Sequence, residues 1–199
     1  MASQVVLITG ALTGIGRATA VAFAKKGAKL VVSGRHDDKG QVLVAELQAL
    51  GAEASFVRAD VRKEDDVRAL VDQTVAKFGR LDAAVNNAGF EGSLGPIEDA
   101  TEENFRAVHD TNVVGVFLSM KHELRAMAGQ AGGSIVNITS TYGHKAAAGA
   151  TAYVSSKFAV EGMTKSVGCA RTGGLRHSRE RRRAGTDGHS HARSLHRRR

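Results

Sequence analysis

The sequence predicts an α/β fold in which a doubly wound parallel sheet carries helices on both faces. Short apolar strand patterns alternate with helical patterns along residues 5–167, and a glycine-rich turn joins the first strand to the first helix. Right-handed crossovers give such a doubly wound fold, and we expect the strand order 3-2-1-4-5. A length of 199 residues with 42% hydrophobic side chains suits one domain with a packed core.

Five apolar segments predict the strands. Each is short and rich in Val, Leu, Ile or Ala, as expected for strands that are covered on both faces of a parallel sheet. The strand patterns cover residues 5–9, 29–33, 54–57, 81–85 and 134–139.

Helical patterns separate these strands. The first three end near a glycine, a residue that commonly closes a helix in the left-handed conformation. Asp37 or Asp38 is expected to cap the second helix, and Thr101 is expected to cap a long fourth helix. The helical patterns cover residues 14–26, 37–50, 63–78, a long segment from residue 101, and residues 151–167.

Charge is distributed unevenly along the chain. Residues 1–169 contain 18 basic and 18 acidic side chains, whereas residues 170–199 contain ten Arg against Glu180 and Asp187. The whole net charge of +8 therefore lies in the last 30 residues. This division predicts one neutral domain in residues 1–169 and a basic, disordered tail in residues 170–199.

Composition excludes several classes of protein. No apolar run approaches the roughly 20 residues of a membrane span, so no membrane partner is expected. The lone Cys169 excludes an internal disulfide, and without a signal-peptide pattern we expect a cytoplasmic protein. The Arg-rich tail lacks aromatic residues that could stack on bases, so we expect no specific nucleic-acid binding. No metal site is predicted, and the histidines of the tail indicate a chance cluster.

A glycine-rich turn follows the first strand in the segment TGALTGIG, residues 9–16. Gly10 allows a tight turn, Gly14 lets the backbone approach a pyrophosphate, and Gly16 lets helix and strand pack closely. The helix start then offers free N–H groups to phosphate. An ordinary glycine-rich turn is the alternative, but the position after the first strand favours dinucleotide binding. The expected cofactor contacts are Gly10, Leu12, Thr13, Gly14, Ile15 and Gly16.

The end of the second strand bears on the choice between NADP and NAD. An NAD site usually has a carboxylate here for the ribose 2′-hydroxyl, but this strand ends with Gly34 and Arg35. Arg35 can form a bidentate bond to a 2′-phosphate, which favours NADP, with NAD as the alternative. Asp37 and Asp38 are better explained as helix-start residues, and a solvated surface position is the alternative for Arg35.

Three further segments complete a family pattern. The sequence NNAG at residues 86–89 follows the fourth strand, Ser140 ends the fifth, and Tyr153 and Lys157 form a Y-x-x-x-K motif. With the glycine-rich turn, this ordered set makes residues 3–167 resemble the short-chain dehydrogenase/reductase family, whose fold is Rossmann-like. The resemblance implies an oxidoreductase that transfers a hydride between NAD(P)(H) and a carbonyl or secondary alcohol substrate. A catalytically inactive dinucleotide-binding protein is the alternative.

The Y-x-x-x-K motif has a chemical rationale. Tyr153 and Lys157 are four residues apart on one helix and therefore share a face. A free phenol, with a pKa of about 10, is a poor base at neutral pH, and a nearby ammonium favours the phenolate. The resemblance implies that Tyr153 moves a proton, Ser140 hydrogen-bonds the reacting oxygen, and Lys157 also binds the nicotinamide ribose. It implies too that Asn112 holds a water that links Lys157 to solvent.

Other positions resemble cofactor contacts of the family. Asn86 resembles the residue beside the adenine ribose, and Ala88 and Gly89 let the backbone approach the cofactor. Asp60 and Val61 resemble the pair that touches adenine, although Asp60 can also cap the next helix. Residues 90–97 and 141–150 are expected to border the substrate.

The sequence departs from the family after the Tyr-Lys helix. The resemblance implies a sixth strand, a Pro-Gly turn and a seventh strand, and residues 171–199 contain no such patterns. One choice of codons for residues 176–186 encodes GIRVNAVAPGP when it is read one base later, which resembles the sixth strand and the turn. We therefore expect a change of reading frame between about Val167 and Leu175, with a natural basic extension as the alternative. An intact family member is expected to form a homo-oligomer.

Overall fold

A computed structural model describes residues 3–130 and 132–171 of the chain. Its sheet has five parallel strands in the order β3-β2-β1-β4-β5, which confirms the predicted fold class and strand order. The strands are β1 Val5–Thr9, β2 Lys29–Gly34, β3 Ala54–Arg58, β4 Ala83–Asn86 and β5 Ser134–Asn137. The helices are α1 Gly14–Ala24, α2 Asp37–Ala49, α3 Glu64–Phe78, α4 Glu102–His109, α5 Gly115–Met127 and α6 Thr151–Arg171.

The described residues as far as Glu161 form one compact unit, which contains the sheet. Residues 162–171 continue helix α6. The expectations for the basic tail and for the change of frame concern residues that lie outside the described part of the chain. Among the described helices, none has the length and apolar character that crossing a bilayer requires.

Both faces of the sheet are covered by apolar side chains. Successive residues of β1 point to opposite faces, so Ile8 packs in a cluster with Leu30 and Leu47, while Leu7 packs in a second cluster with Leu70. All five residues of β1 are buried, which explains why this strand has no alternation of polar and apolar residues.

Two helix starts illustrate capping. Thr101 precedes α4, and its Oγ1 accepts a hydrogen bond from the Asn104 N–H at 3.2 Å, as predicted. The expectation that Asp37 or Asp38 caps α2 is wrong, because His36 occupies the capping position. Both aspartates lie instead in the first turn, where the helix dipole favours negative charge.

The long fourth helix of the sequence prediction is interrupted. Helix α4 ends at His109, Asp110–Val114 forms a π-helical turn, and α5 begins at Gly115. A π-helical turn widens the backbone and redirects the side chains on it, and such turns are frequent at functional sites. The side chain of Asn112, in the middle of this turn, is fully buried.

The residues of the predicted site lie at the carboxyl ends of the strands. All strand pairs are parallel, so the segments that follow β1, β2, β4 and β5 lie along one edge of the sheet. The glycine-rich turn and Arg35 directly follow β1 and β2, the NNAG segment begins at the last residue of β4, and Ser140 lies three residues after β5. The topology therefore brings together motifs that are more than 100 residues apart in the sequence.

Strand β5 is shorter than predicted and has one exposed side. Within the described residues it pairs only with β4, through the register Ala83↔Ser134 to Asn86↔Asn137. Val136 is 49% exposed, an unusual value for an apolar residue in a parallel sheet. On its other side, no described strand pairs with β5.

Candidate active site

The glycine-rich turn packs against the NNAG segment. Gly10 has a φ of +62°, and a Cβ on it would lie 2.7 Å from the Ala88 Cα, so no larger residue fits. The Asn87 Nδ2 donates hydrogen bonds to the Gly10 carbonyl at 2.8 Å and the Thr9 carbonyl at 3.2 Å. A Cβ on Gly16 would overlap Asn87 Nδ2. Asn87 therefore fixes the turn, a role that the sequence did not assign to it.

The outer side of the same turn is open. Gly14 has a φ of +54°, and a Cβ on it would meet no atom within 4 Å. Thr13 precedes α1 but forms no side-chain capping hydrogen bond, so no side-chain cap competes with a ligand for the first N–H groups of the helix. Thr13, Gly14 and Ile15 are exposed. An open, glycine-lined helix start fits the pyrophosphate of a dinucleotide.

The end of β2 combines a close contact with an exposed cation. A Cβ on Gly34 would lie 2.6 Å from Leu12 Cδ1, so glycine at this position lets the turn pack against the strand. The side chain of Arg35 follows directly and is exposed. After the larger effect of the hydrogen bond from Arg62, the charge of Arg35 also lowers the pKa of Asp60.

Asp60 is held mainly by Arg62 rather than by the next helix. The Arg62 side chain donates to Asp60 Oδ1 and Oδ2 at 2.9 and 3.0 Å, and this pairing keeps the pKa of the carboxyl below its usual value. Lys63, not Asp60, occupies the capping position of α3, so the alternative that Asp60 caps this helix is wrong. Val61 is buried next to Gly115, where a larger residue would overlap its side chain.

The NNAG segment runs from the buried Asn86 to Gly89, which lies beside the predicted catalytic residues. Asn86 is only 2% exposed, and its Nδ2 donates hydrogen bonds to Glu123 of α5 and Asn137 of β5, so this residue lies in the interior. Ala88 packs against the core cluster that includes Val61. A Cβ on Gly89 would lie 3.0 Å from Asn112 Oδ1 and 3.7 Å from Lys157 Nζ, so glycine here leaves space between the two predicted catalytic groups.

Tyr153 and Lys157 share one face of α6, as predicted. The Lys157 Nζ lies 5.5 Å from the centre of the Tyr153 ring and donates to the Ile138 carbonyl at 3.0 Å. Lys157 is only 5% exposed, and burial lowers the pKa of its ammonium group. The arrangement places a desolvated cation beside a phenol, which is suited to proton transfer.

Ser140 reaches the same place through a short turn. Its Oγ accepts a hydrogen bond from the Tyr142 N–H at 3.2 Å, which leaves the Ser140 hydroxyl hydrogen able to donate elsewhere. The ring of Tyr142 packs edge-to-face with Tyr153, with ring centres 6.4 Å apart. The turn after β5 therefore brings Ser140 to the neighbourhood of Tyr153.

Asn112 is held firmly by its surroundings. Its Nδ2 donates to the Phe90 carbonyl at 2.9 Å and to Ser156 Oγ at 3.0 Å, and its Oδ1 accepts from the Phe90 N–H at 3.0 Å. Ser156 is fully buried and its hydroxyl also donates to the Tyr153 carbonyl at 2.7 Å. The Y-x-x-S-K spacing contains Ser156, but nothing in the sequence indicated that it binds Asn112.

Comparison with known proteins agrees with this geometry. The family model described as short chain dehydrogenase matches residues 4–172. The chain belongs to the short chain dehydrogenase family. A 3beta-hydroxysteroid dehydrogenase of Mediterraneibacter gnavus is 40% identical over 164 residues, which are 82% of this chain and 59% of that protein. An A-factor type gamma-butyrolactone 1'-reductase of Streptomyces virginiae is 44% identical, over 83% of this chain and 65% of that protein.

Two solved structures superpose on most of the described chain. The actinorhodin polyketide ketoreductase with NADPH has a TM-score of 0.81 and 37% identity, over 84% of this chain and 65% of that one. The NAD+-bound xylitol dehydrogenase has a TM-score of 0.80 and 34% identity, over 82% of this chain and 63% of that one. The chain thus spans about three fifths of the length of the curated relatives that it matches.

Proposed function

We propose that the chain is an NAD(P)(H)-dependent oxidoreductase that interconverts a secondary alcohol and a carbonyl compound. The observation that carries the proposal is the placement of Tyr153 and the desolvated Lys157 ammonium beside Gly89 and Asn112, at the sheet edge where the open glycine-rich turn begins α1. Membership of the short chain dehydrogenase family supports it.

The proposed chemistry divides between cofactor and protein. When bound, the nicotinamide supplies or accepts the hydride. Tyr153 transfers the proton to or from the substrate oxygen, and the Ser140 hydroxyl donates a hydrogen bond to the same oxygen. Lys157 stabilises the phenolate electrostatically and is positioned to bind the nicotinamide ribose, while Asn112 holds the Phe90 backbone beside the site.

A dinucleotide-binding protein without turnover is the competing function. Two measurements distinguish it from the oxidoreductase. NADPH fluorescence on addition of the full-length chain reports cofactor binding. The absorbance of the reduced nicotinamide, followed with a panel of ketones and secondary alcohols, reports turnover. The panel should include a 3-hydroxysteroid, a keto-lactone and a sugar alcohol, the substrate classes named by similar proteins. Cofactor binding without turnover across the panel would contradict the proposed oxidoreductase.

We infer that the cofactor is NADP rather than NAD. The exposed Arg35 at the end of β2 supports this preference, because a guanidinium can pair with a 2′-phosphate. Similar structures contain either cofactor, so they support NAD(P) in general. The proposed compartment is the cytoplasm, in keeping with a lone cysteine.

Replacement of Arg35 with Ala tests the cofactor preference. We expect NADPH binding to weaken by about 1.5–3 kcal/mol, the scale of a charged hydrogen bond, while NADH binding changes little. Arg125→Ala is the matched control, since it removes the same charge from an exposed position at the end of α5, away from the site. Equal losses for the two cofactors in Arg35→Ala would show that Arg35 does not contact the 2′-phosphate.

We further propose that residues 172–199 are translated in a different frame from the rest of the chain. The family match ends at residue 172, inside the interval in which the sequence indicates the change. The half-exposed Val136 of β5 supports the proposal, because a parallel sheet is ordinarily covered by other elements on both faces.

A further inference from the structure

Helix α5 carries a carboxyl group into the core. Glu123 is 0% exposed and continues the buried stripe of Val116, Met120 and Met127, where an apolar residue would be expected. Its Oε2 accepts a hydrogen bond from Asn86 Nδ2 at 3.0 Å. No basic side chain in the described part of the chain pairs with it.

Two buried acceptors of this pair are unsatisfied. Glu123 Oε1 and Asn86 Oδ1 are buried, and neither has a hydrogen-bond partner among residues 3–130 and 132–171. If Glu123 were ionised, both atoms would be acceptors without a donor, which is costly in a core. A single proton on Oε1 would turn it into a donor to Asn86 Oδ1, and the two groups already meet through Oε2 and Nδ2.

We propose that Glu123 is kept as a neutral carboxylic acid that forms a paired hydrogen bond with the Asn86 amide and thereby acts as a positioning residue for Lys157. Asn86 Nδ2 also donates to Asn137 Oδ1 at 2.9 Å, and the two asparagines are register partners at the last positions of β4 and β5. Glu123 thus fixes the amide that joins the two strand ends.

Ile138, the residue that follows β5, connects this pair to the site. The Ile138 N–H donates to the Asn86 carbonyl at 2.9 Å, and the Ile138 carbonyl accepts from Lys157 Nζ at 3.0 Å. A shift of Asn86 would therefore move the carbonyl that anchors the ammonium. Glu123 itself touches no reacting group, so its effect on Lys157 is indirect.

The surroundings of Glu123 favour the neutral form. Burial raises the pKa of its carboxyl from 4.5 to about 7, and the hydrogen bond from Asn86 opposes this only in part. Strands β4 and β5 present the neutral Asn86 and Asn137. Helix α3 presents Glu64, whose charge is paired with Lys121 and His122 of α5. Within the described residues no cation is therefore available to stabilise an ionised Glu123.

Measuring the stability of the full-length chain as a function of pH tests whether Glu123 is a neutral acid. Between the unfolded pKa of 4.5 and the folded value of about 7, only the folded state holds the proton, so stability should fall as the pH rises. Relative to Glu123→Gln, the unfolding equilibrium constant of the wild type should rise by up to about tenfold per pH unit in this window. Glu103→Gln, at an exposed position of α4, should retain the wild-type slope. If the stability of the wild type and that of Glu123→Gln change with pH in the same way, the proposal is overturned.

A second measurement remains decisive even if the variants fold poorly. Carbon-13 NMR of the wild-type chain with labelled glutamate should show one carboxyl that is still protonated at about pH 6, where ordinary glutamates are ionised. If every glutamate carboxyl is ionised at that pH, Glu123 is not a neutral acid.

NADPH affinity tests whether Glu123 positions Lys157. This test rests on the proposed function, in which Lys157 binds the cofactor. Glu123→Gln keeps one donor and one acceptor for Asn86 and should retain NADPH affinity, whereas Glu123→Leu should weaken it several-fold. Equal affinity in the two variants would overturn the positioning role. If the wild type itself binds no NADPH, the proposed function fails, while the titration still decides whether Glu123 is neutral.

Discussion

Replacement of Tyr153 with Phe is expected to lower turnover by about 10²–10⁴-fold, the usual contribution of a general acid or base. The change removes only the hydroxyl, so the ring, its contact with Tyr142 and the position of Lys157 should persist. Cofactor affinity should therefore stay close to that of the wild type. The measurement compares kcat and NADPH affinity of the two proteins with the same substrate.

The chain contains only one other tyrosine, which provides the matched control. Tyr142→Phe removes a hydroxyl from the adjacent ring and should retain most of the turnover. Lys157→Ala should instead damage both cofactor binding and rate, because we assign both roles to the ammonium. Turnover of Tyr153→Phe within a few fold of the wild type would remove Tyr153 from the proposed mechanism.

Restoring the alternative reading frame after about residue 170, with the C-terminal segment that it encodes, should stabilise the protein by several kcal/mol. The exposed edge of β5 and its half-exposed Val136 offer a surface on which an added strand could pair. Each large apolar side chain buried there contributes about 1.5–3 kcal/mol. We also expect oligomer formation and a gain in turnover, measured by sedimentation and by the oxidation of reduced nicotinamide.

Deletion of residues 176–199 is the control for frame restoration. Leu175 and Leu195 are the only large apolar residues of 171–199, so this segment has little apolar surface to bury. We expect the deletion to leave the denaturation midpoint of the remaining chain nearly unchanged. A deletion that unfolds residues 1–161 would show that the basic segment is a structural element and that the frame proposal is wrong.

The fold was accessible from the sequence because its signals are local. Apolar runs, helix-ending glycines and the Thr101 cap depend on neighbouring residues, and the right-handed crossover rule converts them into a strand order. The π-helical turn around Asn112 was not predicted, and the side chain of Asn112 there contacts the Phe90 backbone, 22 residues earlier in the sequence. Helical periodicity continues through such a turn without a break.

The sequence indicated the main candidate residues of the site, but not the residues that hold them in place. Tyr153, Lys157 and Gly10 lie where their motifs indicated, since motif spacing encodes their geometry. The sequence did not indicate the role of Asn87, because its side-chain amide donates to two backbone carbonyls of a turn that is distant in the sequence. Glu123 did leave a signal, a charged residue in the apolar stripe of α5, but its meaning depends on Asn86, which belongs to a different strand.

We propose that the described residues as far as Glu161 form a cofactor site in which Tyr153 transfers the proton that accompanies hydride transfer, while Lys157 binds the cofactor and stabilises the phenolate. NADPH binding to the full-length chain, measured by fluorescence beside Lys157→Ala and the control Arg125→Ala, tests this claim most directly. We predict saturable binding that Lys157→Ala weakens at least tenfold, the effect of losing a charged hydrogen bond of about 1.5–3 kcal/mol, and that Arg125→Ala leaves unchanged. Binding that is equally strong in all three proteins, or absent from the wild type, would contradict the account.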